Sequence, residues 1–271
     1  MRPWLMAMAI AAGALVGCSS NGPTRPTPVP PPPAGSPGDP DGPPPGNPPP
    51  AGTVWIDEFD GDAIDTTSWN VEDSTTTRYG GTEQAWRPAN VVVRDGQVHL
   101  ISRRESAGGR QYTSGAINTR GKRTFRVPFR VEVRARIPFG RGIWPAIWIR
   151  EGQTNTAVIQ EIDIMESIGD PFTVWMTNHT WMPQHQQHAG CTKTGEDMSA
   201  AMHTYAVEVT EDRIRWFIDG IELCSSTVGI PTDTNHLLIN TSIGGSWPGP
   251  PDGSTPFPQT FSIDYVRISM P

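Results

Sequence analysis

Lysine is nearly missing from this chain. Its 271 residues include only Lys122 and Lys193, and the formal net charge is −7. An acidic chain without basic clusters lacks the electrostatic footprint of a nucleic-acid binder, so no nucleic-acid partner is expected. Past residue 52 no apolar run nears the roughly 18 residues that a membrane-spanning helix needs. Cysteine is scarce, with Cys18, Cys191 and Cys224 making up all 3. Helical periodicity is almost absent, and no internal repeat is found. What the chain does have is unevenly spread. Of 29 prolines, 15 fall between Pro23 and Pro50, whereas nine of the 10 tryptophans lie beyond residue 52. That apolar content rules out disorder over residues 53–271, a length suited to one all-β or α/β domain.

The N-terminus has one positive charge at Arg2, an apolar run from Trp4 to Val16, then Gly17-Cys18. This is the layout of a secretory signal peptide, too short for a membrane helix. Leu15-Val16-Gly17-Cys18 resembles the lipobox of bacterial lipoproteins. That resemblance implies cleavage before Cys18 and a lipid on its thiol. Residues 1–18 are then a lipoprotein signal, and the mature protein is held at a membrane through Cys18. Ser19 stands where an Asp would mark retention at the inner membrane, which points to the outer membrane or cell surface. Residues 19–52 are mostly Pro, Gly, Ser, Asn and Asp, a composition that cannot bury a core and reads as a disordered linker. Export leaves Cys191 and Cys224 in an oxidising compartment, which predicts a disulfide between them. Two separate buried thiols are the alternative, because spacing alone does not bring their Cα atoms together.

From residue 53 onward, apolar and polar residues alternate with period two. Arg130–Ile137, Tyr205–Val209, Arg213–Ile218 and Phe261–Ile268 all read as half-buried strands. Asp95-Gly96 separates Asn90–Arg94 from Gln97–Ser102, and Asp219-Gly220 follows Ile218; Asp-Gly is a strong hairpin signal. Residues 196–203 are expected to make one helical turn. The pattern as a whole predicts two packed antiparallel sheets, an all-β sandwich.

Val158–Ser167 is the most informative stretch, because acids alternate there with large apolar residues. On a strand, Glu161 and Asp163 share a face while Ile162 and Ile164 point into the core. Glu166 is five residues after Glu161, so regular alternation would send it to the other face. A β-bulge around Ile164-Met165 would return it. The Cα atoms of the two glutamates would then lie about 13 Å apart. Side chains leaning together would bring the carboxyls to about 5–6 Å, the separation of a retaining glycosidase. Clustered carboxylates also suit Ca²⁺, and a solvated acidic face is the plain alternative. Acids side by side cost stability on a strand, which weighs against that last reading.

Glu161-Ile162-Asp163-Ile164-Met165-Glu166 resembles the bulged E-I-D-I-M-E signature of glycoside hydrolase family 16, in its laminarinase-like form. Gly142–Trp148 resembles the family's G-x-W-P-A-x-W strand, Met202–Tyr205 its F-H-T-Y and Phe217–Gly220 its F-x-D-G. Ile239–Gly249 is similar to L-N-x-A-x-G-G-x-W-P-G, and Asp264–Arg267 to D-Y-V-R. The family fold is a β-jelly roll with a concave substrate cleft. Carried over by position, Glu161 matches the nucleophile, Glu166 the acid/base and Asp163 the carboxylate that assists them. Ile159-Gln160 stands where the family usually has Trp and Gly, and Val209 where it has Trp. Gly81–Trp86, with Glu83 and Trp86, only partly resembles the stretch that lines the non-reducing side of the cleft.

Trp144 and Trp247 match cleft tryptophans of these motifs and are expected to stack on sugar rings. Trp86, Trp175 and Trp181 are weighed evenly between sugar contact and packing, and Trp148 is open. His179 is expected to hydrogen-bond a sugar or Glu166, with a satisfied core histidine as the alternative. Asn240 matches a cleft asparagine, although a turn would explain it nearly as well. His185 and His188 have ligand-like spacing but read better as a surface loop. The resemblance also implies a structural Ca²⁺ on the convex face, held by Asp264 with backbone oxygens near Glu58 and Gly96. No cofactor is expected for the chemistry itself. The reading is therefore an exported, monomeric, retaining endo-glycosidase, with endo-1,3(4)-β-glucan as the first substrate. A non-catalytic glycan-binding sandwich is the alternative from another class. A transglycosylase, or an enzyme acting on agar- or carrageenan-type galactans, would carry the same acids. Arg78, Arg87, Arg120 and Arg141 keep sulfated polymers in view.

Overall fold

The computed structural model describes residues 52–76, 81–152, 158–182 and 184–271. The readings of residues 1–18 with Cys18, of the linker up to residue 51, and of Arg78 lie outside the described residues. In chain order the strands are β1 (Thr53–Asp57), β2 (Asn70–Val71), β3 (Gln84–Trp86), β4 (Val91–Arg94), β5 (Gln97–Ser102) and β6 (Tyr112–Ser114). They continue with β7 (Ala116–Asn118), β8 (Thr124–Phe125), β9 (Phe129–Arg136), β10 (Ile143–Glu151), β11 (Gln160–Glu166) and β12 (Thr173–Thr180). The last six are β13 (Gln186–Thr194), β14 (His203–Val209), β15 (Ile214–Ile218), β16 (Ile221–Ser226), β17 (Asn235–Ile243) and β18 (Gln259–Ser269).

These strands form two large antiparallel sheets, the sandwich that the alternation predicts and the jelly roll that the resemblance implies. One runs β16-β15-β14-β9-β18-β5-β4, with β1 added beside β18. The other runs β13-β12-β11-β10-β17-β7-β2, with β8 on β17, and carries the acids. A short parallel pair, β3 and β6, stands apart from both. Alternation decides which side chains meet. Val131, Val133, Val207, Trp216 and Ile263 face inward from the first sheet, and Ile147, Ile149, Ile162, Ile164 and Ile239 from the second. Each such side chain contributes about 1.5–3 kcal/mol when taken out of water. The two Asp-Gly turns close as expected. Asp95 and Gly96 take φ of 55° and 70°, and Asp219 and Gly220 take 50° and 76°, the positive values that a tight hairpin needs.

The helical turn expected over residues 196–203 is not formed. Asp197 accepts from the Ser199 backbone N–H and from its hydroxyl, and Ala200 N–H bonds back to Asp197. This side-chain turn competes with helix, a habit of Asp next to Ser. The Cys191–Cys224 disulfide is formed, with Cα atoms 6.2 Å apart. It joins edge strand β13 of the acid-bearing sheet to edge strand β16 of the opposite sheet.

Candidate active site

The arrangement begins with the bulge. On β10, Ile147 pairs with Met165 and the next residue, Trp148, pairs with Asp163. On β12, Asp163 faces Thr177 and Glu166 faces Trp175, so Ile164 and Met165 together oppose Met176. Both bulge side chains are fully buried in the core. Two consecutive apolar residues pointing inward are what return Glu166 to the outer face. Glu161, Asp163 and Glu166 therefore share that face, as the spacing predicts.

Each acid has distinct partners. Thr177 Oγ1 donates to Asp163 Oδ2 at 2.6 Å, and His179 Nε2 lies 3.2 Å from the same oxygen. The Trp144 indole N–H donates to Glu166 Oε1 at 2.9 Å. Glu161 is hydrogen-bonded by Trp181. Burial, then the Asp163 charge, pushes Glu161 up to about 7, against the Trp181 bond and the His179 and Arg150 charges. Burial and the Asp163 charge push Glu166 well above the usual carboxylate range, with Glu161 adding to the rise and the Trp144 bond opposing it. Such a pair can hold one proton near neutral pH, the condition for one acid and one nucleophile. Ligand atoms of Glu161, Asp163 and His179 lie within 4.8 Å of one another. A cation would have the right donor types there, yet the same atoms already satisfy each other through Thr177 and His179.

The aromatic candidates divide. Trp247 packs edge-on against Trp144, centroids 5.6 Å apart, and against Trp175 at 5.2 Å. These three rings gather at the Glu166 end, and Trp247 is 41% exposed. Trp148 takes the same outer face as Trp144; its indole N–H donates to Asn240 Oδ1 at 2.8 Å. Asn240 is thus in mid-strand on β17, not in a turn. Trp86 is only 3% exposed, so it offers little ring surface to a sugar. It lines a shallow hollow with Glu72, Asn118 and Asn240. Glu83 lies over Gly244, whose φ is +69° and where an added Cβ would come within 2.5 Å of the Glu83 carboxyl. Trp181, at the Glu161 end, is 39% exposed.

Three residues join the site from outside the recognised motifs. Thr177 is on β12, opposite Asp163. Trp216 comes from the opposite sheet, and its indole N–H donates to the Asp163 backbone carbonyl at 3.0 Å through the core. His185 is an exposed loop residue just before β13, as read, and from there its Nε2 also reaches His179 Nδ1. His188 lies on β13 and bonds Thr180. Register explains Thr177, since β12 must pair with β11; the reach of Trp216 depends on sheet packing, which no local pattern encodes.

The expected calcium ligands lie on the opposite sheet. Asp264 is buried, and Arg134 donates to its Oδ2 at 2.7 Å. Glu58 pairs through its side chain with Arg267 at 3.1 Å, and Gly96 sits in the β4–β5 turn. The Asp264 carboxylate is the right donor type for a hard cation, which would share it with the Arg134 guanidinium.

Residues 79–266 match the family model described as glycosyl hydrolases family 16. A beta-glucanase of Rhodothermus marinus is 35% identical over 79% of this chain and 84% of its own length. A glucan endo-1,3-beta-glucosidase A1 of Niallia circulans is 33% identical over 79% of this chain, which spans only 37% of that longer protein. Among solved structures, the laminarinase catalytic domain from Thermotoga maritima superposes with a TM-score of 0.73 at 30% identity, covering 81% of this chain and 98% of that one.

Proposed function

The chain belongs to glycosyl hydrolases family 16, and from that membership we propose that it is an exported endo-β-glucanase that cleaves internal 1,3- or mixed 1,3/1,4-linkages with retention. The observation that carries this reading is the Ile164-Met165 bulge, which sets Glu161 and Glu166 on one face with Asp163 between them. Glu166 holds a proton well above the usual carboxylate range and gives it to the glycosidic oxygen. Glu161 attacks the anomeric carbon as that bond breaks, forming a glycosyl ester. Glu166, now ionised, takes a proton from water, whose oxygen attacks the same carbon and frees Glu161. Asp163, fixed by Thr177 and His179, holds negative charge beside both. Trp144, Trp175 and Trp247 supply ring faces for pyranose stacking. The names of the Rhodothermus, Niallia and Thermotoga relatives support a β-glucan substrate.

The same proposal places the mature protein as a monomer on a bacterial membrane, outer membrane or cell surface, through lipid on Cys18, with residues 19–52 as tether. Cys18→Ser then moves the protein from the membrane fraction to the soluble fraction. No cofactor enters the chemistry. A calcium ion on Asp264 acts on stability alone, so chelation leaves turnover unchanged well below the melting temperature. The deciding experiment is a product survey with the full chain on laminarin, lichenan, agarose and carrageenan. New reducing ends are expected from laminarin and lichenan, with the β-anomer first in the proton spectrum. Binding without cleavage of any polymer would overturn the reading in favour of a glycan-binding sandwich.

A further inference from the structure

An exposed histidine outside every family motif closes a ring of contacts around Glu161. His185 Nε2 lies 3.0 Å from His179 Nδ1. The His185 ring stacks on Trp181 with centroids 4.0 Å apart and planes 12° off parallel. His179 Nε2 faces Asp163 Oδ2 at 3.2 Å, and Trp181 hydrogen-bonds Glu161. Both partners of His185 therefore touch a catalytic acid. We propose that His185 is a positioning residue that holds His179 as the charged partner of the acid pair and fixes Trp181 against Glu161. This rests on the glycosidase reading above.

Proton bookkeeping supports the role. Asp163 Oδ2 accepts from Thr177 Oγ1 and from His179, which places a proton on His179 Nε2. His179 Nδ1 then meets His185 Nε2 in one of two ways. A neutral His179 accepts from His185; a protonated His179 donates to it. The second is a charge-assisted bond, the stronger kind. Two imidazoliums could not share that bond, so the pair carries at most one positive charge. His179 faces Glu161 and Asp163 from β11 and His185 from the approach to β13, while His188 is engaged by Thr180 and Arg150 acts on Glu161 from β10. Burial pushes His179 down, but the Asp163 hydrogen bond and the Asp163 and Glu161 charges outweigh it, and the net shift is upward. The His179 charge in turn lowers Glu161, favouring the ionised nucleophile. Losing the His185 acceptor removes a reason for His179 to stay charged.

The test uses ring-15N histidine labelling of the full chain with His185→Ala and His185→Gln, the latter placing an amide oxygen near the Nε2 position. His179 should titrate at lower pH in His185→Ala and return toward the original value in His185→Gln. On laminarin, kcat should fall about tenfold in His185→Ala, the size of one charge-assisted hydrogen bond, with KM little changed. The acid limb of kcat/KM should move to higher pH, and Gln should restore both. An unshifted His179 titration, or a lower kcat with the acid limb unmoved, would overturn the proposal. If the original chain cuts no β-glucan, the glycosidase reading fails, while the ring titration still decides whether His185 holds the His179 proton.

Discussion

At the scale of single residues, the acids on β11 are held in a costly state. Burial and Asp163 raise Glu161 from an ordinary 4.5 to about 7. The folded protein thus keeps that proton above the pH where the unfolded chain loses it. The stability linked to this group is present below about 4.5 and is lost as pH rises through about 7. Glu161→Gln removes the charge, so its melting temperature should match the parent near pH 4 and exceed it at pH 8. The gain is on the order of 1–3 kcal/mol, read by calorimetry at the two pH values. The same variant should lose turnover while isothermal titration with a laminari-oligosaccharide shows binding nearly intact. Glu161, Asp163 and Glu166 were legible in the chain because a face of three acids is chemically expensive. His185 was not, since a histidine in a polar stretch looks like any surface residue until β13 brings it beside His179.

At the scale of the elements, the bulge carries the geometry, and two forces hold it. Ile164 and Met165 are drawn inward by burial, and the Trp216 indole grips the Asp163 carbonyl from the other sheet. Trp216→Phe keeps most of the packing and drops the donor. We expect a loss of about 1–3 kcal/mol in urea unfolding, the cost of leaving a buried carbonyl unsatisfied. We also expect kcat on laminarin to fall more than binding, because the loosened strand carries both glutamates that the proposed mechanism uses. Strands such as Phe129–Arg136 were readable residue by residue, since alternation is a local property of a half-buried ribbon. The turn at residues 196–203 misled because its composition suits a helix, while the Asp197 carboxylate bonds Ser199 instead.

At the scale of the whole molecule, one covalent link joins the two sheets at a single edge. Cys191 and Cys224 are separated by 33 residues, and closing a loop of that size contributes about 2–4 kcal/mol in a chain-entropy account. Cys191→Ser with Cys224→Ser, or reductant on the parent, should lower the melting temperature with little change in KM, checked by circular dichroism beside an activity assay. The two broad faces differ in another way. On the sheet opposite the acids, Arg130 meets Glu132 at 3.1 Å and Glu208 at 3.8 Å, Arg215 pairs with Glu208 and Glu222, and both arginines cover Phe217. That face is a woven lattice of opposite charges with its aromatic ring roofed over. The Phe217 ring there lies under two guanidinium groups rather than open to stacking by a sugar. On the proposed glycosidase reading, a sugar that stacks on the exposed Trp247 instead already lies at the Glu166 end of the acid row.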